Sequence, residues 1–331
     1  MPAVDASTAL YGVAGWPLRD TLSPRLHNAA FTALGIPAVY VPLRVRPERG
    51  DGLIAALETL GMSGANVTVP HKEAAFRGCD RLSPAARAAR SVNTLVRAGS
   101  GWTGHTTDGE GLLDALARAA HDPACGPLAL LGGGGSARSA AVALLRRGGL
   151  RLRLITRDPH GVARALAHAD DVGAGSSLEI LARGSEAAAR ALRSARTVLN
   201  ATTLGSGSGR GMPCPPAWLR ADAVAVDFVY GAPTPWRTAL RARGITAFSG
   251  LGMLICQAAR SFRIWTGKDP LEWMLWAGGW DREMVESGAG AGTAGKSPPG
   301  GPARSGAKSA RAPRRLRRMA KPVGGTRRAR R

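Results

Sequence analysis

Four consecutive glycines, Gly132, Gly133, Gly134 and Gly135, stand between the apolar run 128–131 and a helical pattern at residues 137–145. Glycine has no Cβ, so a loop of this kind brings the backbone close to a ligand. The first turn of the following helix offers free N–H groups and positive potential to phosphates. The pattern predicts a dinucleotide-binding unit, with a simple flexible turn as the alternative.

Further apolar runs at residues 150–156, 197–200 and 223–228 predict the other strands of a doubly wound sheet. The first of these strands ends in Thr156-Arg157-Asp158. An acidic residue at this place is typical of an NAD site, whereas an arginine can grip the 2′-phosphate of NADP in a bidentate manner. Arg157 therefore favours NADP, and a surface Arg–Asp turn is the alternative.

The first hundred residues alternate between strand and helix patterns, which predicts an α/β sheet. Strands are expected at residues 11–15, 38–43 and 65–69, and helices at 23–34 and 53–60. Thr107 to Glu110 fits a capping box ahead of a helix at 111–120. An amphipathic helix at 253–265 is expected to pack back on the first unit.

Polar side chains cluster where these strands and helices meet. Thr21 and Ser23 place two hydroxyls at a helix start, where a carboxylate would bind, although Ser23 is also a suitable N-cap. Lys72 falls in a first helical turn, where a cation opposes the helix dipole; it is either part of a site or a solvated side chain. Asn93 is either part of a site or a core amide whose hydrogen bonds are satisfied. Asp108 is either part of a site or an acid that the helix dipole favours in the first turn.

The sequence has 45 basic and 23 acidic residues, a net charge of +22. From Ser287 to Arg331 it carries 13 Lys and Arg and no acid, among Gly, Ala, Ser and Pro. Such a segment cannot bury a core, so we expect a disordered basic tail over residues 287–331. A catalytically dead dinucleotide-binding protein whose tail associates with nucleic acid is an alternative of a different class, but the tail lacks aromatic side chains for base stacking.

The sequence contains no apolar stretch long enough for a transmembrane helix and no signal-peptide pattern at its N-terminus. The four cysteines are far apart, and no pair has C-x-x-C spacing. We expect a cytoplasmic protein that needs neither membrane nor metal.

Together these segments resemble the shikimate dehydrogenase family. The matching motifs occur in family order between residues 11 and 270. They are Leu22-Ser23-Pro24 with His27-Asn28, Gly64-Ala65-Asn66-Val67-Thr68-Val69-Pro70-His71-Lys72, Val92-Asn93-Thr94, Thr107-Asp108-Gly109, the glycine loop, Asn200-Ala201-Thr202, Asp227-Phe228-Val229-Tyr230, and Gly250-Leu251-Gly252-Met253-Leu254 with Gln257.

The resemblance implies NADP-dependent, reversible reduction of 3-dehydroshikimate to shikimate, in the pathway to chorismate and aromatic amino acids. It implies that Lys72 and Asp108 form the catalytic pair and that Thr21 and Ser23 bind the substrate carboxylate. The remaining substrate-binding residues would be Asn66, Thr68, Asn93, Gln257 and, closing the pocket, Tyr230. Residues implied to bind NADP are Gly132, Gly133, Gly134, Gly135, Ser136, Ala137, Thr156, Arg157, Thr202, Phe228, Gly250 and Met253.

The resemblance also implies two domains around a cleft. Residues 1–107 and 250–286 would form an α/β substrate domain, and residues 108–249 a Rossmann-like domain for NADP. Three positions depart from the usual family pattern: Asp20-Thr21 replaces His-Ser, Thr106 replaces Asn, and Thr156-Arg157-Asp158 replaces Asn-Arg-Thr. The nearest alternative is a related enzyme acting on quinate or an aminated shikimate, which could use NAD. A monomer or a homodimer is expected.

Overall fold

Apolar segments of two to seven residues form two six-stranded β-sheets with helices packed against them. The computed structural model describes residues 4–167, 169, 173–205 and 211–287. Apart from Ser287, the predicted basic tail lies outside these residues. Within the described ranges, no helix has both the length and the apolar character needed to cross a membrane.

The first sheet is mixed and has the strand order β2-β1-β3-β5-β6-β4. Its strand β1 pairs in parallel with β2 and β3, while β5 runs antiparallel to β3 and β6. The elements are β1 (Ala9–Gly15), α1 (Ser23–Ala33), β2 (Ala38–Arg44), α2 (Leu53–Thr59), β3 (Gly64–Val67), α3 (Lys72–Gly78), β4 (Arg81–Leu82), α4 (Pro84–Ala89), β5 (Thr94–Ala98) and β6 (Gly101–His105).

The second sheet is parallel throughout and has the order β12-β11-β10-β7-β8-β9. The chain moves outward from β7 to β9 and returns on the other side of β7, so a crevice opens at the carboxyl ends of β7 and β10. The elements are α5 (Asp108–Arg118), β7 (Leu128–Leu131), α6 (Gly135–Arg147), β8 (Arg151–Thr156), α7 (Pro159–Leu166), β9 (Ser177–Ala182), α8 (Glu186–Ser194), β10 (Thr197–Asn200), β11 (Val224–Asp227), α9 (Pro235–Ala242) and β12 (Thr246–Ser249).

Three further helices follow: α10 (Leu251–Thr266), α11 (Leu271–Gly278) and α12 (Trp280–Glu286). As predicted, α10 packs back on the first sheet, and Trp265 donates from Nε1 to the Leu95 carbonyl at 2.9 Å. Helix α5 lies against α10 so closely that a Cβ added at Gly111 would come within 2.6 Å of the Gln257 backbone nitrogen. One apolar core, which includes Phe31, Leu112 and Leu144, therefore joins both sheets.

The predicted α/β architecture is confirmed, and β7 and β10 occupy the predicted residues. Some boundaries differ: β3 ends at Val67, before the predicted 69, and α6 begins at Gly135 rather than 137. The apolar residues around Asn93 suggest that it lies inside a strand, but it precedes β5. The hairpin β5–β6 and the short strands β4, β9 and β12 were not predicted.

Of the two predicted helix caps, the one at Ser23 is wrong, and the one at Thr107 has the predicted position without the side-chain bond. Helix α1 begins at Ser23 itself, with Leu22 at the N-cap and no side-chain cap bond. Helix α5 has Thr107 at its N-cap, but the Thr107 hydroxyl does not bond the helix backbone. It contacts Asn93 and Gln257 instead. In both cases tertiary contacts compete with the local backbone for a side chain that a cap motif also uses.

The motif His27-Asn28 contributes to the packing of the first sheet. Asn28 donates to the Tyr40 carbonyl and accepts from its N–H, both at 2.8 Å, which ties α1 to β2. His27 is fully buried and stacks on the Tyr40 ring at 4.3 Å. Neither ring nitrogen of His27 has a hydrogen-bond partner among the described residues. Burial lowers the pKa of His27 to about 3, and the nearby Asn66 side chain opposes that shift.

His27 should therefore make the folded state less stable in mild acid. The unfolded chain takes up a proton near pH 6.5, while the folded histidine does not until about pH 3, so stability is full above 6.5 and falls as the pH drops towards 3. Between pH 7.5 and 5.5 we expect the wild type to lose about 1.4 kcal/mol more than His27→Phe, which cannot titrate. Urea unfolding of both proteins at the two pH values measures this, and parallel losses would contradict it.

Candidate active site

A cleft of about 1090 Å³ opens at the carboxyl ends of β7, β8 and β10. It brings together predicted residues from both sheets: Lys72, Gly132, Gly133, Gly134, Gly135, Ser136, Thr156, Arg157 and Thr202. The volume slightly exceeds the range of about 300–1,000 Å³ that is usual for small-molecule sites, which suits a ligand as long as a dinucleotide. The other predicted residues do not line this cleft.

The glycine loop has the backbone that its sequence requires. Gly132 has φ +129°, a conformation that residues with a Cβ rarely adopt. A Cβ at Gly133 would lie 2.5 Å from the Thr156 hydroxyl, and one at Gly135 would collide with Ser91. Helix α6 starts at Gly135, so its first turn, including Ser136 and Ala137, points free N–H groups towards the loop. These residues fit a pyrophosphate group.

Arg138 fixes the loop against the first sheet, which the sequence reasoning missed. Its side chain is buried and donates to the carbonyls of Ala89, Arg90 and Gly133 and to the Glu73 carboxylate, over 2.7–3.2 Å. Glu73 follows Lys72 in α3. The guanidinium group therefore connects the loop directly to the helix that carries Lys72. Arg138 lies in the first turn of α6, where a cation opposes the helix dipole, and this position in the sequence could have indicated a specific role.

Lys72 and Asp108 meet at the inner end of the cleft. Each is the first residue of its helix, and each is nearly buried, with 9% and 5% exposure. Lys72 Nζ forms an ion pair with Asp108 Oδ2, which also accepts from Ser136 Oγ at 2.9 Å. Asp108 Oδ1 accepts from Asn93 Nδ2 at 2.8 Å. A solvated lysine is excluded by this burial, and the carboxylate has the donors that a buried charge needs.

An amide and hydroxyl network continues from this pair into the first sheet. Asn93 Nδ2 also contacts Gln257 Oε1 at 3.1 Å, and Asn93 Oδ1 accepts from the Thr107 N–H at 2.8 Å. Asn66 donates to Ser261 Oγ at 3.0 Å. Ser261 was not predicted; it lies one turn beyond Gln257 on α10, and this spacing of polar residues on an apolar helix could have indicated it.

The predicted carboxylate subsite lies near two tyrosines. Burial raises the pKa of Tyr40 well above its ordinary value, against an opposing hydrogen bond from Ser23. Burial also raises the pKa of Tyr230, which Thr21 opposes by hydrogen bonding. Tyr40 donates to Asn66 Oδ1 at 2.7 Å and was not predicted. Both phenols therefore stay neutral donors at neutral pH, close to the hydroxyls of Thr21 and Ser23. Thr68 lies on the segment after β3, half-buried.

The end of β8 separates the roles of Arg157 and Asp158. Asp158 caps α7, with Oδ1 accepting from the Gly161 N–H at 2.8 Å. Arg157 lines the cleft together with Arg164 and Arg183. The Arg183 N–H donates to the Thr156 carbonyl at 2.7 Å, so Arg157 and Arg183 follow neighbouring strands at the same sheet edge. None of these three arginines forms an ion pair with a described residue, so the cleft mouth is basic.

Of the remaining predicted cofactor residues, one lines the cleft and four do not. Thr202 lines the cleft, and its hydroxyl donates to Asn200 Oδ1 at 2.6 Å. Gly250 donates to the Val229 carbonyl at 3.1 Å, which holds the turn before α10 against the segment containing Phe228. Ala137, Phe228, Gly250 and Met253 do not line the described cleft. Thr106, at a position that departs from the family pattern, donates to Ser139 Oγ at 2.8 Å.

Comparison with known proteins agrees with this geometry. The family model for the shikimate dehydrogenase substrate binding domain matches residues 13–95, and that for the shikimate 5′-dehydrogenase C-terminal domain matches residues 250–272. The chain is 40% identical over 274 residues to shikimate dehydrogenase (NADP(+)) of Rubrobacter xylanophilus, covering 82% of this chain and 95% of that protein.

Two solved structures are similar over most of the chain. Shikimate 5-dehydrogenase of Thermus thermophilus, in complex with NADP(H) and shikimate, has a TM-score of 0.70 and 30% identity, covering 82% of this chain and 99% of that one. Quinate dehydrogenase of Corynebacterium glutamicum, in complex with NAD, has a TM-score of 0.70 and 27% identity, covering 82% and 98%. With the 40% identity to a relative that it spans almost completely, this chain belongs to the shikimate dehydrogenase family.

Proposed function

We propose that this protein is an NADP-dependent shikimate dehydrogenase, an oxidoreductase that reversibly reduces 3-dehydroshikimate to shikimate. The observation that carries the proposal is the buried Lys72–Asp108 pair beside a glycine loop, at the inner end of a cleft that fits a dinucleotide. Its relatives named shikimate dehydrogenase (NADP(+)) support the same substrate and cofactor.

We infer that the two sheets belong to domains that bind different ligands. Residues 1–107 and 250–286 bind the substrate, and residues 108–249 bind NADP. The match of residues 13–95 to a substrate binding domain supports the first assignment, and the crevice beside the glycine loop supports the second. The free thiols of Cys79, Cys125, Cys214 and Cys256 support a reducing compartment such as the cytoplasm. A monomer or a homodimer remains our expectation.

In this proposal the hydroxyl groups of Thr21 and Ser23 hold the substrate carboxylate at one end of the pocket. The ring hydroxyls are contacted by Asn66, Thr68, Asn93 and Gln257. Three of these residues, Asn66, Asn93 and Gln257, already belong to one hydrogen-bonded network. Tyr230, which lies close enough to Thr21 for that side chain to act on its pKa, closes the pocket over the carboxylate end. Fixing both ends of a small ring presents one face to the cofactor, and such orientation supplies much of the rate enhancement of an enzyme.

When bound, NADPH supplies the hydride for the substrate carbonyl, and NADP accepts it in the reverse direction. This chain handles the charge and the proton. The ammonium group of Lys72 donates a hydrogen bond to the carbonyl oxygen and stabilises the negative charge that develops there. It then delivers a proton to that oxygen. Asp108 keeps the ammonium in place through the ion pair and is itself held by Asn93. In the oxidation of shikimate, Lys72 takes the proton of the hydroxyl.

The first turn of α6 and the loop residues Gly132 to Gly135 would hold the pyrophosphate, and Arg157 would hold the 2′-phosphate. Thr202, Phe228, Gly250 and Met253 are assigned to the nicotinamide side. A preference for NADP over NAD is supported by the three guanidinium groups at the cleft mouth, which have no ion-pair partner among the described residues. A phosphate dianion brings two negative charges to this place.

Quinate is the second candidate substrate, because the similar structure from Corynebacterium glutamicum is a quinate dehydrogenase. Asp20-Thr21, which adds a charge and a methyl group near the carboxylate subsite, is the local feature that bears on this choice. An absorbance assay at 340 nm with shikimate and quinate, each with NADP and NAD, tests both candidates. We expect the highest kcat/KM for shikimate with NADP. Turnover of quinate alone would overturn the proposal in favour of the second candidate.

A further inference from the structure

The hydroxyl group of Ser136 lies between the cofactor loop and the catalytic pair. Ser136 is the second residue of α6, next to the glycine loop, yet its Oγ accepts from Lys72 Nζ at 2.8 Å and donates to Asp108 Oδ2 at 2.9 Å. The sequence placed this residue only among the phosphate contacts. The structure shows three groups from three different helices bonded to one another in a closed triangle.

This triangle limits what the Lys72 ammonium can do. An ammonium group has three N–H donors and no acceptor. Among the described residues, Asp108 and Ser136 are its only hydrogen-bond partners, so two donors are occupied and their directions are fixed. The third N–H direction then follows from tetrahedral geometry. Without Ser136 the group would have a single partner, and the flexible lysine side chain could change its torsions, and with them the N–H directions, while keeping that one contact.

We propose that Ser136 is a positioning residue, which orients the remaining N–H of Lys72 towards the substrate oxygen and ties that orientation to the position of the glycine loop. The inference rests on the proposed function, because it assigns Lys72 its catalytic role. It predicts an effect on the chemical step rather than on cofactor affinity, since the helix N–H groups that face phosphate do not depend on the Ser136 side chain.

A neighbouring serine provides a matched control. Ser139 lies one turn further along α6, is buried, and also bonds to the start of α5. Its Oγ accepts from the Gly109 N–H at 3.0 Å and from the Thr106 hydroxyl at 2.8 Å. It therefore docks α6 on α5 as Ser136 does, but it contacts neither Lys72 nor Asp108. A purely structural role for Ser136 would make the two serines equivalent.

The test compares Ser136→Ala, Ser136→Thr and Ser139→Ala in the full chain, by shikimate oxidation with NADP and by fluorescence titration of NADP binding. For Ser136→Ala we expect kcat to fall roughly three- to tenfold, the loss of one orienting contact. The KM for shikimate and the Kd for NADP should stay within about twofold, since neither binding surface changes. Ser136→Thr keeps the hydroxyl and should recover most of kcat. Ser139→Ala should lower Tm with kcat nearly unchanged.

The inference is overturned if Ser136→Ala keeps wild-type kcat, or if its loss is in the Kd for NADP, which would make Ser136 an ordinary cofactor contact. It is also overturned if Ser139→Ala lowers kcat as much as Ser136→Ala does. A wild-type chain that does not oxidise shikimate would overturn the proposed function together with this inference. An active wild type with an unaffected Ser136→Ala overturns the inference alone.

Discussion

Replacing Lys72 with alanine should lower kcat for shikimate oxidation by roughly 10²–10⁴-fold, the usual range for a positioned proton-transfer group. Lys72 is 9% exposed, and its ammonium is shared between Asp108 and Ser136 at the inner end of the cleft. After the substitution, no other described side chain at that place has both a positive charge and a proton that it can donate to the substrate. Asp108 keeps Ser136 and Asn93 as donors, so the fold should survive.

Asp108→Asn should lower kcat within the same range of roughly 10²–10⁴-fold, for a different reason. Both carboxylate oxygens of Asp108 accept hydrogen bonds, from Lys72 and Ser136 on one side and from Asn93 on the other. An asparagine of the same shape has one acceptor and one donor group, so an N–H must face a donor on one side. Lys72 also loses its counter-charge, and with it the contact that holds the ammonium against the cleft.

The double variant Lys72→Ala/Asp108→Asn should be little worse than the worse single variant, because groups that act as one unit lose their joint effect at the first substitution. The KM for shikimate should change less than kcat in all three variants. The carboxylate end, with Thr21 and Ser23, and the amide of Gln257 are untouched by either substitution.

A second lysine serves as the control for these substitutions. Lys268 is exposed, follows α10, and is the only other lysine among the described residues. Lys268→Ala should keep wild-type kcat, while thermal unfolding and NADP titration of each variant separate a catalytic loss from a folding or binding loss. If Lys72→Ala retained more than about a tenth of wild-type turnover, short of the range for such groups, Lys72 would not be the catalytic group.

Site residues that lie in contiguous motifs could be predicted from the sequence, because their placement follows from local backbone rules. The glycine loop is one case: an apolar run, residues without a Cβ and a helical pattern together define a strand, a close turn and a helix start. Lys72 is another, since a cation in the first turn of a helix is unfavourable there unless something else stabilises it. In the structure, Asp108 stabilises the Lys72 ammonium group through an ion pair.

Contacts between distant segments could not be predicted in this way. Ser261 on α10 and Tyr40 on β2 join the network because the fold brings both side chains within hydrogen-bond distance of Asn66. The wrong cap at Ser23 and the missing cap bond at Thr107 have the same origin. A hydroxyl at a helix start can bond the backbone or a tertiary partner, and the sequence signal is identical for both. The Thr107 hydroxyl bonds the tertiary partners Asn93 and Gln257 instead of the helix backbone.

The missed strands have weak patterns for physical reasons. Strand β9 is at an edge of the second sheet, and its residues are all exposed or half-buried, so no apolar alternation selects it. Strand β12 has a weak pattern because its two apolar residues, Ala247 and Phe248, lie between a threonine and a serine. The turn that joins β5 to β6 is short and polar, and the pairing of the two strands depends on β3, to which β5 is also bonded.

Replacing Arg157 with alanine should raise the KM for NADP by about tenfold or more, since a charge-assisted hydrogen bond contributes roughly 1.5–3 kcal/mol. The KM for NAD should barely move, because NAD lacks the 2′-phosphate that the guanidinium would bind. Arg157 is exposed at the cleft mouth and forms no ion pair with a described residue, so its loss uncovers no buried charge. Arg164 and Arg183 remain near the phosphate and keep the loss from being complete.

Arg153 offers the matched control on the same strand. It belongs to β8, as Thr156 does, but its side chain pairs with Glu179 at 3.2 Å and does not line the cleft. Arg153→Ala should leave both cofactor constants unchanged. A second test is ionic strength: added salt should weaken NADP binding more in the wild type than in Arg157→Ala, because exposed charges are screened. Equal losses for NADP and NAD in Arg157→Ala would mean that the arginine supports the end of β8 and that Arg164 or Arg183 selects the cofactor.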